Sequence, residues 1–144
     1  VWSLGSTQSR GVGILFKQRL SFNIESVNHD SDGRLLVVDV VINNTKWRLL
    51  NVYCPNIASE REVFLESLAI WLNTSRVLLV GGDFNFVDNI ALDKIGGNPR
   101  EGSDGADTWR RVCQCGALTD PFRRLYNQTV EVCTMQNTMS QHDT

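Results

Sequence analysis

The chain has 144 residues, of which 42% are hydrophobic and 21% charged, and its net charge is −2. This length suits one domain, and the composition disfavours a disordered chain. The apolar runs Leu35–Val38 and Val77–Val80 fall far short of the roughly 20 residues that span a bilayer, so we expect no membrane association. A weakly acidic chain is unsuited to coating DNA independently of sequence, but a nuclease that gathers carboxylates around a metal remains possible.

Neither end of the sequence has the features of a natural terminus. Val1 is not an initiator methionine, and no basic stretch followed by an apolar stretch marks a signal peptide. Cys113 and Cys115 lie too close together for a zinc-binding pair, which favours reduced, mostly buried thiols inside a cell. We therefore expect one partial domain over residues 1–144, truncated at both ends, in an intracellular protein.

The first half of the chain predicts an antiparallel meander. Gly11–Lys17 has the composition of a strand. Leu35–Ile42 and Lys46–Tyr53 are rich in β-branched and apolar residues, and Asn43–Thr45 between them has turn chemistry, which predicts a hairpin. Asp30–Gly33 predicts a second turn, before the hairpin.

A helix and a buried strand follow the hairpin. Ser59 and Glu62 match a capping box, and apolar residues at helical spacing predict a helix over about 59–73. Residues 77–83 contain four consecutive aliphatic residues, which predicts a strand covered on both faces. The order strand, helix, strand predicts a right-handed crossover between parallel strands.

The remainder predicts shorter elements. Residues 87–103 have the composition of a loop, and Asp107–Cys115 predicts a helix that ends at Gly116 in the left-handed conformation. A helical turn near Asp120–Tyr126 and a strand near Val130–Thr134 complete the sequence pattern. Hairpins combined with helical crossovers predict an α/β class with a mixed sheet.

The end of the strand over 77–83 carries the strongest chemical signal. Asp83 and Asn85 offer a carboxylate and an amide, and Gly81 and Gly82 before them permit close approach of another backbone or a ligand. If the chain stays extended, the two polar side chains point to the same side. The pattern indicates a site that activates water or holds an oxyanion, and a local turn is the alternative.

A second strand end carries Tyr53 and Asn56. The phenol of Tyr53 can donate to a phosphoryl or carbonyl oxygen, and Asn56 can add a neutral donor. The alternative is a half-buried tyrosine beside an ordinary turn. Arg110 and Arg111, like Arg123 and Arg124, could contact phosphates, although a solvated helix face explains them better.

Taken in order, five segments resemble the endonuclease/exonuclease/phosphatase superfamily, and most closely the endonuclease domain of LINE-type retrotransposon polyproteins. The five segments are Ser9–Phe16, Asn51–Asn56, Gly81–Asn85, Ala91–Lys94 and Leu118–Arg123. The resemblance implies a two-sheet mixed α/β sandwich of the DNase I-like kind. It also implies hydrolysis of phosphodiester bonds in target DNA with Mg²⁺ (or Mn²⁺), beside a reverse transcriptase region of the same polyprotein, and hence a nuclear location.

The same resemblance assigns roles to individual residues. Asp83 would be the general base that acts on the attacking water, and Asn85 would stabilise the pentacovalent phosphorus. Tyr53 would donate a hydrogen bond to a phosphate oxygen, and Asn56 would position the phosphate. The family's principal metal-binding glutamate and its catalytic histidine have no counterpart in the 144 residues, so we expect the metal ligands outside this chain and impaired catalysis by the chain alone.

Several other functions fit the same residues. Within the superfamily, an abasic-site nuclease, a DNase I-like enzyme and a lipid or inositol phosphatase share the core motifs. From another class, the chain is compatible with a non-catalytic DNA-binding or interaction module. A degenerate copy without a function is a third alternative.

Overall fold

A computed structural model of the protein describes residues 1–5, 11–93 and 104–126. In this part of the chain, five strands come first, two helices and a sixth strand follow, and three helices come last. The elements in chain order are β1 Trp2–Leu4, β2 Gly11–Gly13, β3 Phe22–His29, β4 Leu35–Ile42, β5 Thr45–Tyr53, α1 Ala58–Ser67, α2 Ala69–Leu72, β6 Val77–Asp83, α3 Ile90–Asp93, α4 Ala106–Cys115 and α5 Pro121–Leu125.

The strands form two sheets. The larger sheet has the order β3-β4-β5-β6, and β1 pairs with β2 in a separate antiparallel sheet. An antiparallel meander is formed as predicted, but its first strand is β3 rather than the predicted Gly11–Lys17, and β4 and β5 follow. Strands β5 and β6 run parallel and are joined through α1 and α2. The predicted α/β class with a mixed sheet is therefore confirmed.

The central strand β4 is buried on both faces because each face of the large sheet is covered by a different layer. Leu35 and Val37 face a core shared with helices α1, α2 and α4, whereas Leu36 and Val38 face a core shared with the small sheet. The amide of Asn51 donates to the carbonyl of Gly13 at 2.8 Å and joins the two sheets. The strands thus form the middle layer of a three-layer arrangement.

Strand β6 is covered on one face alone within the described residues. Leu78 and Val80 pack against the helical core. On the other face Val77 and Leu79 are 44% and 56% exposed, because the small sheet contacts β4 and β5 and does not extend over them. The strand end that carries Asp83 is consequently open to solvent, and Asp83 is exposed.

The hairpin turn between β4 and β5 confirms the prediction from Asn43 and Asn44. Both residues have positive φ angles, 49° and 63°, and the pair Ile42 and Thr45 closes a two-residue loop. Two consecutive positive φ angles match the twist of a two-residue hairpin, and asparagine tolerates them better than other non-glycine residues.

The predicted helix over 59–73 is interrupted at Leu68, which separates α1 from α2. The predicted capping box is wrong. Helix α1 is capped by Ile57, which makes no side-chain cap hydrogen bond, and its first backbone bond runs from Arg61 to Ile57. Ser59 lies inside the first turn, where its hydroxyl cannot serve as the cap.

Gly116 ends α4 as predicted, but its φ of −89° is not left-handed, and Ala117 adopts the left-handed conformation instead, with φ 49°. A Cβ on Gly116 would lie 3.0 Å from Leu72, so close packing explains the glycine.

Three other predictions differ from the structure or lie outside it. Of Gly11–Lys17, Gly11–Gly13 alone forms a strand. The predicted loop 87–103 contains the short helix α3, and its residues 94–103 lie outside the described part. The predicted strand Val130–Thr134 also lies outside it. Among the described residues, no helix is long and apolar enough to cross a membrane.

A charged cluster crosses the sheet at the end where β6 begins. Arg48 makes two bonds to the carboxylate of Asp39, at 2.7 and 2.8 Å, and a third to the carbonyl of Trp71 at 3.0 Å. Arg76 contacts the same carboxylate at 3.4 Å and also pairs with Glu25. Hydrogen bonds from Arg48 hold the pKa of Asp39 below its usual 3.8, against the opposing effect of burial.

Gly82 is the point of closest approach between β5 and β6. Its φ is +138°, and a Cβ on this residue would lie 1.9 Å from the carbonyl oxygen of Val52. Gly81 beside it has open space, with nothing within 4 Å of the corresponding position. The close approach to the backbone of Val52 therefore requires a glycine at position 82 but not at position 81.

We expect Asp39→Asn to lower the free energy of unfolding by about 3 kcal/mol at pH 7, because it leaves Arg48 and Arg76 without their shared carboxylate. A depressed folded-state pKa contributes stability above the unfolded value, and that stability is lost as pH falls through the folded value. The difference from wild type should therefore narrow below pH ~4. Urea unfolding at pH 7 and again below pH ~4 measures this difference in the free energy of unfolding, with the exposed Asp32→Asn as the control. An equal loss at both pH values would contradict the linkage.

The two glycines provide a matched pair of variants. We expect Gly82→Ala to destabilise the fold by on the order of 3 kcal/mol, because the new methyl group meets the backbone of Val52 and the φ angle is strained. Gly81→Ala should stay within about 0.5 kcal/mol of wild type. Thermal unfolding followed by circular dichroism distinguishes them, and equal stabilities would show that the close approach is not required.

Candidate active site

The parallel pairing of β5 with β6 brings Tyr53 and Asp83 side by side. The two residues are partners in the strand register, at the carboxyl ends of both strands. The backbone N–H of Cys54 donates to the carbonyl of Asp83 at 2.8 Å and extends the ladder by one bond. Open α/β sheets bind ligands at the carboxyl ends of their strands, so this edge is the candidate site.

Asn85 ties the two strand ends together. Its side-chain amide donates to the carbonyl of Cys54 at 2.7 Å, and its backbone N–H donates to Oδ1 of Asp83 at 3.0 Å. The chain is not extended here, because Asn85 has a φ of 54°. The local turn considered as the alternative is therefore the observed geometry, and it still leaves Asp83, Asn85 and Tyr53 at one edge.

Asn56 is exposed on the loop that follows β5, and a buried arginine anchors this loop. Arg61 is 5% exposed, and its Nη1 donates to the carbonyls of Pro55 and Asn56, each at 3.0 Å. Its Nε donates to the carbonyl of Asp104 at 2.9 Å, just before α4. The guanidinium thus fixes the backbone that carries Asn56. This role was not predicted from the sequence, although Arg61 lies four residues before Leu65 on the buried stripe of α1.

Arg34 is a second arginine whose role was not predicted from the sequence. Its Nη1 donates to the carbonyl of Tyr53 at 3.3 Å, and its guanidinium carbon lies 5.6 Å from the centroid of the Tyr53 ring. The position directly after the Asp30–Gly33 turn was the available signal, because a residue there lies directly before β4, the strand that pairs with β5.

Cys54 lies beneath the site and has a structural role. The thiol is fully buried, and burial raises its pKa to about 12, with Arg61 opposing the rise and Asp83 adding to it. A thiol with this pKa stays protonated at neutral pH and is not a nucleophile. Burial likewise raises the pKa of Cys113 to about 11.

The two arginines of α4 lie in ion pairs. Arg110 pairs with Asp88 and Asp107, and Arg111 contacts Glu66 at 3.5 Å. These contacts agree with the solvated helix face that the sequence favoured.

The described residues do not form a complete metal site. Among them, no three histidine, cysteine, aspartate or glutamate side chains converge in a way that could hold a metal ion. Mg²⁺ commonly uses one or two carboxylates together with substrate phosphates and water. Asp83 supplies one exposed carboxylate, so the described part of the site fits a contributor to such a centre but not the whole of it.

An open groove of about 770 Å³ lies next to this edge, between the β3–β4 turn and α1. Asp30, Asp32 and Glu60 line it together with Arg34. Three carboxylates disfavour a phosphate there, because like charges repel. The exposed strand ends are therefore a better candidate than the groove for contact with a phosphate.

Comparison with known proteins connects this architecture to nucleases. The chain is 31% identical over 126 residues, or 85% of its length, to the Transposon TX1 uncharacterized 149 kDa protein of Xenopus laevis, of which it spans 9%. Its fold matches the crystal structure of AP endonuclease LMAP from Leishmania major with a TM-score of 0.52 and 19% identity, over 72% of this chain and 39% of that one. No family model matches the chain.

The two matches support each other, because one relates the sequence to a transposon protein and the other relates the fold to a DNase I-like nuclease. The DNase I-like fold that the sequence motifs indicated is confirmed. The chain is thus similar in sequence to a transposon protein and similar in fold to an AP endonuclease.

Proposed function

We propose that the chain is the catalytic edge of a metal-dependent DNA endonuclease that belongs to a LINE-type retrotransposon. The observation that carries this proposal is the pairing of Tyr53 with Asp83 at the open end of β5 and β6, with Asn85 bonded across both strand ends. A proton acceptor and several neutral hydrogen-bond donors then lie together at one solvent-exposed edge of the sheet. Hydrolysis of a phosphodiester requires such a combination of groups.

Each side chain can take one step of that reaction. The carboxylate of Asp83 is exposed and can accept a proton from the attacking water. The Tyr53 hydroxyl can donate to a non-bridging phosphate oxygen, and Asn85 keeps one amide N–H beyond the bond to Cys54. Asn56, on the loop held by Arg61, is exposed and can contact the phosphate.

A divalent metal, Mg²⁺ or Mn²⁺, belongs to the proposal as the group that neutralises charge on the phosphate oxygens. Its principal ligands are expected outside the described residues. By the same proposal, the chain acts on DNA in the nucleus and is joined to a reverse transcriptase region. The expectation that the chain alone is a slow enzyme stays a prediction, and a nicking assay measures it.

We expect Asp83→Asn to lower the rate of plasmid nicking by about 10²–10⁴-fold, because the amide cannot accept the proton of the attacking water. The assay uses excess protein over supercoiled plasmid and follows the open-circular product. Asp107→Asn is the matched control, since this carboxylate is 95% exposed on α4. Nicking that survives in Asp83→Asn would contradict the assigned role.

A second measurement separates the alternatives. An oligonucleotide duplex with one abasic site is compared with the intact duplex of the same sequence. Cleavage confined to the abasic site would favour an abasic-site nuclease over a retrotransposon endonuclease. Binding of both duplexes without cleavage would favour the non-catalytic module.

Metal removal provides a further prediction. Chelation with EDTA should abolish nicking, and either Mg²⁺ or Mn²⁺ should restore it, because the charge that develops on phosphate oxygens needs a divalent cation. Ca²⁺ serves as the comparison ion. Nicking that persists in EDTA would contradict metal dependence.

A further inference from the structure

Arg34 occupies an unusual place beside the candidate site. It lies directly before β4, and its carbonyl accepts the backbone N–H of Tyr53 at 2.8 Å. Its side chain returns over Tyr53, with a hydrogen bond to the Tyr53 carbonyl and the guanidinium 5.6 Å from the ring centroid. A single arginine therefore contacts Tyr53 through its backbone and through its side chain.

The turn before Arg34 is fixed independently of the site. Oδ1 of Asp30 accepts the backbone N–H groups of Arg34 and Leu35, at 2.8 and 3.0 Å. Gly33 is buried with a φ of +68°, and a Cβ there would lie 2.4 Å from the backbone N of Gly5, just after β1. The backbone from which the guanidinium projects is therefore anchored on the small sheet.

A cation over a tyrosine face is held by the ring quadrupole, and the planar guanidinium suits this stacked geometry better than an ammonium does. Tyr53 is half-buried, with its ring against the core beneath the small sheet. The core supports the ring, and Arg34 covers it from outside. The direction of the phenol is set by these two contacts.

On the basis of the function proposed above, we propose that Arg34 is a positioning residue that fixes the Tyr53 phenol for hydrogen bonding to the phosphate. The residue acts through Tyr53 rather than by binding the phosphate itself. Errors of about 1 Å in the placement of reacting groups cost up to roughly 10²-fold in rate. Loss of the guanidinium should thus slow the chemical step more than it weakens DNA binding.

The kinetic test is a double-mutant cycle with Tyr53→Phe, in single-turnover nicking with Mg²⁺. Arg34→Met should lower the maximal nicking rate about tenfold and leave the DNA concentration at half-saturation within about twofold of wild type. Arg34→Lys should give an intermediate rate. In the Tyr53→Phe background Arg34→Met should change the rate less than about twofold, because the phenol is already absent. Arg111→Met, an exposed arginine on α4, is the control.

Two kinetic outcomes would overturn the inference. The first is a tenfold loss that persists in the Tyr53→Phe background. The second is an Arg34→Met variant with an unchanged maximal rate, a higher DNA concentration at half-saturation and a shallower salt dependence of DNA binding. This result would show that Arg34 binds phosphate directly.

A measurement without catalysis separates this inference from the proposed function. The chain has two tyrosines, so 3-fluorotyrosine labelling gives two ¹⁹F resonances, and Tyr126→Phe assigns them. Arg34→Met should shift the Tyr53 resonance while Arg111→Met leaves it in place. An unmoved resonance would overturn the contact whatever the activity. If the Tyr53 resonance shifts in Arg34→Met but the wild-type chain never nicks DNA, the contact between Arg34 and Tyr53 is established and the proposed function is overturned.

Discussion

The parallel pairing of β5 with β6 is the constraint on which the candidate site depends. Parallel strands need a crossover, which α1 and α2 provide here, and the pairing then places two strand ends at the same edge of the sheet. Gly82 allows the two backbones to approach closely, and the bond from Cys54 to Asp83 continues the ladder beyond Tyr53. A slip of one residue would send Asp83 to the opposite face of the sheet, so the register itself selects which groups meet.

Much of the fold follows from local patterns in the sequence. The β4–β5 hairpin was predictable because two asparagines between β-branched runs allow one common turn geometry. The strand β6 was predictable from four aliphatic residues followed by a glycine pair, but the predicted cover on both faces is wrong within the described residues, because Val77 and Leu79 are exposed. The capping box failed because the chain enters α1 two residues before Ser59, and the sequence does not show where the preceding loop is tied. The predicted left-handed conformation of Gly116 was wrong for a similar reason, since close packing against Leu72 explains the glycine at this position.

The candidate site was predictable in its residue types but not in its supports. Tyr53, Asn56, Asp83 and Asn85 were all identified, and the structure places them at or near the same edge. Arg34 and Arg61 were missed because their contacts are with main-chain carbonyls and an aromatic ring, which leave no spacing rule in a sequence. A cation that follows a turn, or that lies on the buried stripe of a helix, is visible in the sequence, but its partner is not. Long-range hydrogen bonds of this kind become apparent when the topology is known.

The charged cluster around Asp39 lies at the other end of the sheet from the candidate site. Arg48 and Tyr53 are five residues apart on β5, or about 16 Å at the usual rise of a strand. The charged cluster and the polar side chains of the candidate site are therefore separated along the same strands. A substitution of the exposed Asp83 would remove the proposed chemistry without unfolding the protein, whereas Gly82 beside it serves the fold. Under the proposed function, a copy of the chain that had lost this carboxylate would still be a folded polypeptide.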